Sequence, residues 1–157
     1  IETDPNFYKA YYMLGTILIS SDIQKAKTYL KKVISINPSY EKAYETLGIV
    51  NTQLELIDEA TENFLSSVSL NEKNSKSYYL LAEISNSKGD YETARKYAKK
   101  SIEHSRRSAG AGWYYLGLAE KKLKNKAAAK DAFEMAKKDK DWRASAVYEL
   151  DLLSKGK

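Results

Sequence analysis

Apolar residues recur along this chain at the three- and four-residue spacing of a single helix face, and short polar stretches interrupt them at regular intervals. Ala43, Tyr44, Leu47 and Val50 form one such stripe, and Ile57, Ala60, Phe64 and Val68 form the next after a turn. Two helices of about four turns each, joined as a hairpin, are predicted from that pattern. The pattern then repeats. An aromatic residue followed three positions later by Leu and then by a small residue occurs at Tyr11/Leu14/Gly15, Tyr44/Leu47/Gly48, Tyr78/Leu81/Ala82 and Trp113/Leu116/Gly117, the small residues stepping by 33, 34 and 35. A lone alanine in the following helix falls at Ala26, Ala60, Ala94 and Ala129, stepping by 34, 34 and 35. From small residue to alanine the step is 12 in three units and 11 in the first, so one residue is missing from the turn near Ser20-Ser21-Asp22.

Each column has a packing reason. A small residue lets the two helices of a hairpin approach closely, the alanine does the same from the opposite helix, and the aromatic fills the wedge that remains. No single hairpin buries its apolar face alone, so neighbours must stack, with the first helix of each lining an inner groove. Asp4-Pro5 and Asn37-Pro38 read as N-cap acceptors before a proline at the first helical position, and Gly89-Asp90 as the third inter-helix turn.

These columns resemble the tetratricopeptide repeat pattern, W-x2-L-G-x2-Y followed by A-x3-F and then P, over nearly the whole chain. The Leu-Gly and alanine columns favour this family over the pentatricopeptide RNA-binding repeats of similar period. The chain departs from the pattern at the second aromatic, where it has Leu18, Asn51, Ser85 and Glu120, and the closing proline occurs only at Pro5 and Pro38. The resemblance implies an all-α fold, a right-handed α-solenoid of stacked antiparallel helix hairpins in one domain over 1–157. Residues 1–5 close a preceding segment, the repeats span 6–38, 39–72, 73–107 and 108–141, and 142–157 form a capping helix. Ile1-Glu2-Thr3-Asp4-Pro5 echoes Ile34-Ser35-Ile36-Asn37-Pro38, so the chain reads as part of a longer protein. Lys137 and Asp139 stand where earlier repeats have Ile34, Val68 and Ile102 or Ile36 and Leu70, which marks the end of the array.

The family's groove columns, carried onto this chain, are Lys9, Tyr12, Thr16 and Ile19; Lys42, Glu45, Ile49 and Thr52; Lys76, Tyr79, Glu83 and Asn86; and Ala111, Tyr114, Leu118 and Lys121. Lys9, Lys42 and Lys76 would form a ladder of positive charge, and Tyr12, Tyr79 and Tyr114 share the column beside it, where rigid amphipathic rings suit peptide contact. The plainer alternative is that the lysines are solvated and the tyrosines cover neighbouring helices. Some family members clamp a chaperone's C-terminal carboxylate with basic and asparagine side chains. The corresponding columns here hold Tyr12, Thr16, Thr46, Lys76 and Leu80, of which only Lys76 fits.

Composition narrows the functional classes. The two prolines and seven glycines leave little turn chemistry for many short strands. Net charge is +5, but unevenly held: residues 1–87 carry eight basic and eleven acidic side chains, a net −3, and residues 88–157 carry 18 and ten, a net +8. Basic runs at Arg95-Lys96, Lys99-Lys100, Lys121-Lys122-Leu123-Lys124 and Lys137-Lys138 raise nucleic acid or an acidic partner as an alternative, although they fall mostly on outer helices beside acidic residues. With no cysteine there is no disulfide, thiolate site or redox pair, and the compartment stays open. No apolar stretch approaches the roughly 20 residues that span a bilayer. The Lys-, Asn-, Ile- and Tyr-rich usage fits an AT-rich bacterial genome.

Catalytic constellations find no support. His104 is the sole histidine, so no histidine cluster or triad forms within the chain, and its column makes it a partly buried inter-repeat residue. Gly110-Ala111-Gly112 lacks the third glycine and the preceding strand of a nucleotide loop, and reads as the connection between the third and fourth repeats. Asp58, Glu59 and Glu62 lie at the start and outer face of a helix, where they complement its dipole. No cofactor, metal or small-molecule substrate is expected. The reading is a scaffold or adaptor that binds a segment or helix of another protein in its groove. The rivals are the non-catalytic arm of a larger enzyme and nucleic-acid or acidic-partner binding through the basic C-terminal half.

Overall fold

In a computed structural model, residues 7–105 and 109–156 are described. Among them are α1 (Phe7–Leu18), α2 (Ile23–Ile36), α3 (Glu41–Gln53), α4 (Ile57–Leu70), α5 (Ser75–Ser87), α6 (Tyr91–His104), α7 (Gly110–Lys122), α8 (Lys126–Ala136) and α9 (Arg143–Ser154). The fold is an all-α solenoid of helical hairpins, and the chain forms two compact units, residues 1–72 and 73–157. In the first unit α1 pairs with α2 and α3 with α4, and α2 packs on α3. In the second α5 pairs with α6 and α7 with α8, while α7 also contacts α5 and α6 and α9 packs on α8.

The repeated columns form the interior. Ala26, Ala60, Ala94 and Ala129 are all fully buried. Each residue four positions beyond them, Leu30, Phe64, Ala98 and Phe133, is also fully buried, and its size answers the small-residue column across the hairpin. A Cβ on Gly48 would lie 2.5 Å from the Phe64 ring and one on Gly117 would lie 2.5 Å from Phe133, whereas one on Gly15 would lie 3.0 Å from Leu30 Cγ, a less severe contact. Where the small residue is Ala82, its hairpin has the small Ala98. A glycine therefore meets a large side chain in three hairpins, and two alanines share the space in the third repeat, as close packing demands. The aromatic column packs inside its hairpin: Tyr11 stacks on Tyr29 at 5.8 Å, and Tyr78 lies 6.3 Å from Tyr97. The leucine column is buried at Leu47, Leu81 and Leu116, but Leu14 is 45% exposed, because no described helix lies before α1.

Three inter-helix turns close alike, with Leu56, Asp90 and Asn125 N–H groups donating to the carbonyls of Asn51, Ser85 and Glu120 at 2.9 Å. Each needs a left-handed residue, which is Glu55 (φ 60), Gly89 (φ 79) or Lys124 (φ 64). The first hairpin, one residue shorter, has none, and Asp22 closes it by donating from its N–H to Leu18 O at 2.8 Å. Left-handed backbone costs a side-chain-bearing residue on the order of 1 kcal/mol. Glu55→Gly and Lys124→Gly are thus each expected to raise unfolding free energy by roughly 0.5–1 kcal/mol. A lower urea midpoint for either variant would contradict the strain.

Two sequence readings need correction. Asn37-Pro38 does not open α3: Asn37 caps the end of α2, its Oδ1 accepts from Ser39 N, and Tyr40 precedes the helix. The side-chain N-caps are instead Asp22, Asn74 and Asp90. Hydrogen bonds from Lys25 and from Thr93 hold the Asp22 and Asp90 carboxyls below their usual range. Gly110-Ala111-Gly112 is not a connector but the first turn of α7, where a Cβ on Gly110 would strike Asp139 and one on Gly112 would lie 2.9 Å from Ile102. His104 is half-buried, as its column implied, and its ring stacks at 5.8 Å on Tyr78 of the same hairpin. The Asp4-Pro5 reading and the boundary at 107–108 fall outside the described residues.

Candidate binding faces of the first helices

In the first unit, Tyr12 is half-buried between α1 and α3, its hydroxyl 3.1 Å from Thr46 Oγ1 and its ring edge-on to Tyr40 at 5.2 Å. Tyr8 meets the same Tyr40 ring at 5.0 Å, so three tyrosines form one cluster. Lys9 and Lys42 are exposed beside it, with Lys9 Nζ 5.9 Å from the Tyr8 ring centre. Thr16 and Thr52 turn their hydroxyls back onto their own helices, donating to Met13 O at 2.8 Å and Gly48 O at 3.0 Å. Ile19, Glu45 and Ile49 are half-buried.

In the second unit, Lys76 and Glu83 are exposed and Tyr79 is half-buried, its ring parallel to that of Tyr115 at 6.3 Å. Burial, and then the hydrogen bond to Glu83, push the Tyr115 phenol far above its usual range. Asn86 Nδ2 donates to Tyr115 O at 3.0 Å, which ties α5 to α7. Tyr114 sits among Tyr115, Phe133 and Trp142, the last at 5.0 Å. Leu118 packs in the cluster that includes Leu150, Ala111 is half-buried, and Lys121 Nζ lies 2.9 Å from Glu149 Oε2 on α9.

A common geometry emerges. Tyr12, Tyr79, Asn86, Tyr114 and Lys121 each reach an element further along the chain, so these columns also hold successive hairpins together. These residues are half-buried, while Lys9, Lys42 and Lys76 reach solvent. Sequence reasoning missed the partners of these residues, namely Tyr8, Tyr40, Tyr115, Trp142 and Glu149. The one available signal was the density of tyrosines near the starts of α1, α3 and α7.

Part of the basic charge of the C-terminal half is paired with acidic side chains. Arg95 pairs with Glu92 and lies 3.9 Å from Glu120, Lys137 pairs with Glu134 at 2.5 Å, and Lys155 pairs with Asp151 at 2.7 Å. Among the described residues, no three His, Asp or Glu side chains gather as metal ligands, and no helix is long and apolar enough to cross a membrane.

Comparison with known proteins agrees with this architecture. Three family models described as tetratricopeptide repeat match residues 8–40, 63–96 and 111–139. No curated protein matches the chain by sequence. Among solved structures, a crystal structure of MamA superposes with a TM-score of 0.78 at 22% identity, covering 90% of this chain and 83% of that one. PilF of Pseudomonas aeruginosa gives a TM-score of 0.83 at 24% identity, covering 95% and 68%. YrrB, described as a TPR protein with an unusual peptide-binding site, gives 0.77 at 18% identity, covering 91% and 74%. At these identities the likeness concerns the fold. The repeat columns, the hairpin packing and the three matching models together show that this chain belongs to the tetratricopeptide repeat family.

Proposed function

We propose that the chain is a non-catalytic binding module whose first-helix faces take an extended or helical segment of another protein, with a preference for acidic, aromatic or apolar segments over basic ones. The observation that carries this reading is the pairing of exposed Lys9 with half-buried Tyr12 on α1 and of exposed Lys76 with half-buried Tyr79 on α5, with Lys42 exposed in the same column of α3. Lysines that reach solvent steer an acidic segment, and tyrosine edges give it rigid contact area at low entropic cost. Glu45 and Glu83 oppose the preference, so it is a bias rather than a strict rule. YrrB's described peptide-binding site makes the same class of ligand a reasonable one for this fold.

Binding of acidic-aromatic peptides and their charge-reversed counterparts tests the reading. Replacing Lys42 and Lys76 together with Ala is expected to slow association several-fold and flatten its salt dependence, with dissociation little changed. Tyr79→Ala is expected mainly to speed dissociation. Because Tyr79 also stacks on Tyr115, its folded fraction is to be measured alongside. Equal preference for both peptide sets, with both variants binding as wild type does, would sink the assignment.

A further inference from the structure

In the first unit, α4 lies against both α2 and α3. Lys27 of α2 is 2.7 Å from Glu59 of α4, and Gly48 of α3 takes the Phe64 ring of α4. In the second unit α9 packs on α8 as α3 packs on α2, and so forms the same kind of angle. That angle is an open groove of about 500 Å³, lined among the described residues by α8 and α9 alone. Lys126, Ala127 and Lys130 line it from α8, and Leu150, Leu153 and Ser154 from α9.

Charge and shape both specify what fits. Residues 121–130 hold five lysines and no acidic residue, and Lys126 and Lys130 are exposed with no ion pair among the described residues. The acids nearby are engaged: Glu134, the one carboxylate of the lining, pairs with Lys137 at 2.5 Å, Glu149 with Lys121 at 2.9 Å and Asp151 with Lys155 at 2.7 Å. Ala127, Leu150 and Leu153 supply apolar surface beside the two lysines. Lys130 follows the column alanine Ala129 as Lys27 follows Ala26, so it is the counterpart of the lysine that holds Glu59. Leu150 is the eighth residue of α9, where α3 has Gly48 and α7 has Gly117. Each of those glycines takes a phenylalanine from the helix that follows, whereas a leucine in that column calls for a small residue opposite.

We propose that the groove between α8 and α9 is a second binding site, apart from the first-helix faces, that takes an acidic amphipathic helix of a partner protein, seated as α4 is seated on α2 and α3. A carboxylate of that helix pairs with Lys130, Lys126 draws further acidic residues to the same edge, and an alanine or glycine packs over Leu150. Helices laid in grooves are read through such spaced anchors, and the two unpaired lysines set the preference for acidic ones.

The test is an amide NMR titration of the 157-residue chain with acetylated, amidated peptides built on α4, residues 57–70. The first carries Phe64→Ala, the second adds Asp58→Lys, Glu59→Lys and Glu62→Lys, and the third is α4 unaltered. Titration runs to millimolar concentration, because a helix this short is only marginally formed in isolation. The first peptide is expected to give saturable shifts at Ala127, Lys130, Leu150 and Ser154, the charge-reversed peptide none, and the unaltered peptide several-fold weaker binding. Lys126→Glu with Lys130→Glu should weaken the first peptide by about tenfold or more. Ala127→Trp, at an exposed position, fills the groove and should abolish the shifts while leaving the thermal midpoint unchanged. The proposal is overturned if the first peptide shifts none of these amides, if either other peptide binds as tightly, or if both groove variants bind like wild type. Loss of binding in the Lys42→Ala, Lys76→Ala variant, with the groove variants unaffected, puts the peptide on the first-helix faces and overturns it as well, so either reading can fail while the other stands. Self-association of the chain that Ala127→Trp abolishes makes a second copy the occupant, with the same consequence.

Discussion

Gly48→Ala is expected to lower unfolding free energy by roughly 1–3 kcal/mol, although a glycine-to-alanine change inside an ordinary exposed helix would raise it by about 1 kcal/mol. The sign reverses because the added Cβ would lie 2.5 Å from Phe64 Cε1, and Phe64 is fully buried with no room to retreat. Gly48→Leu should be worse still. Gly15→Ala is the internal control: its Cβ would meet Leu30 Cγ at 3.0 Å, a contact that a small rotation relieves, so a change near zero is expected. Urea unfolding of the three variants checks the ranking. If Gly48→Ala were as stable as wild type, the close approach of α3 and α4 would be misplaced. Adding Phe64→Leu to Gly48→Ala should recover part of the loss, a coupling that only residues in direct contact display.

Phe133→Ala is expected to have the largest effect, a loss of about 3–5 kcal/mol. The ring is fully buried and packs against Gly117, with Tyr114 at 5.8 Å. Gly117 has no side chain with which to fill the cavity left behind, and Ala129, Ala136 and Ala146 around it are equally small. A loss below about 1 kcal/mol in equilibrium unfolding would mean that the site collapses without penalty, contrary to this packing.

The tyrosine column bears on how binding should be measured. Tyr79 and Tyr114 are half-buried, each packing on Tyr115 or Trp142. Truncating them removes internal packing as well as a ligand contact, so an affinity loss on its own is ambiguous. Lys42 and Lys76 are exposed, so charge reversal there reads out binding with less structural interference.

The helices, their pairing into hairpins and the family were legible along the chain, because each depends on spacing. Residues 33 to 35 apart that repeat in kind mark equivalent positions of equivalent units, and three-and-four spacing marks the face each helix must bury. The missing residue in the first turn was legible for the same reason, and the structure has a left-handed residue in each of the other three turns and none there. Spacing does not say what lies across a gap. That Gly48 faces Phe64 while Ala82 has Ala98 in its hairpin, that Asn37-Pro38 ends a helix rather than starting one, and that Gly110 and Gly112 belong to α7 all depend on distances between segments far apart in sequence or on local backbone dihedrals. The candidate site divides the same way. Family columns picked out the first-helix residues, but only the tertiary structure decided that Tyr12, Tyr114 and Lys121 also reach Thr46, Trp142 and Glu149, because one face of a helix serves both the next hairpin and the solvent.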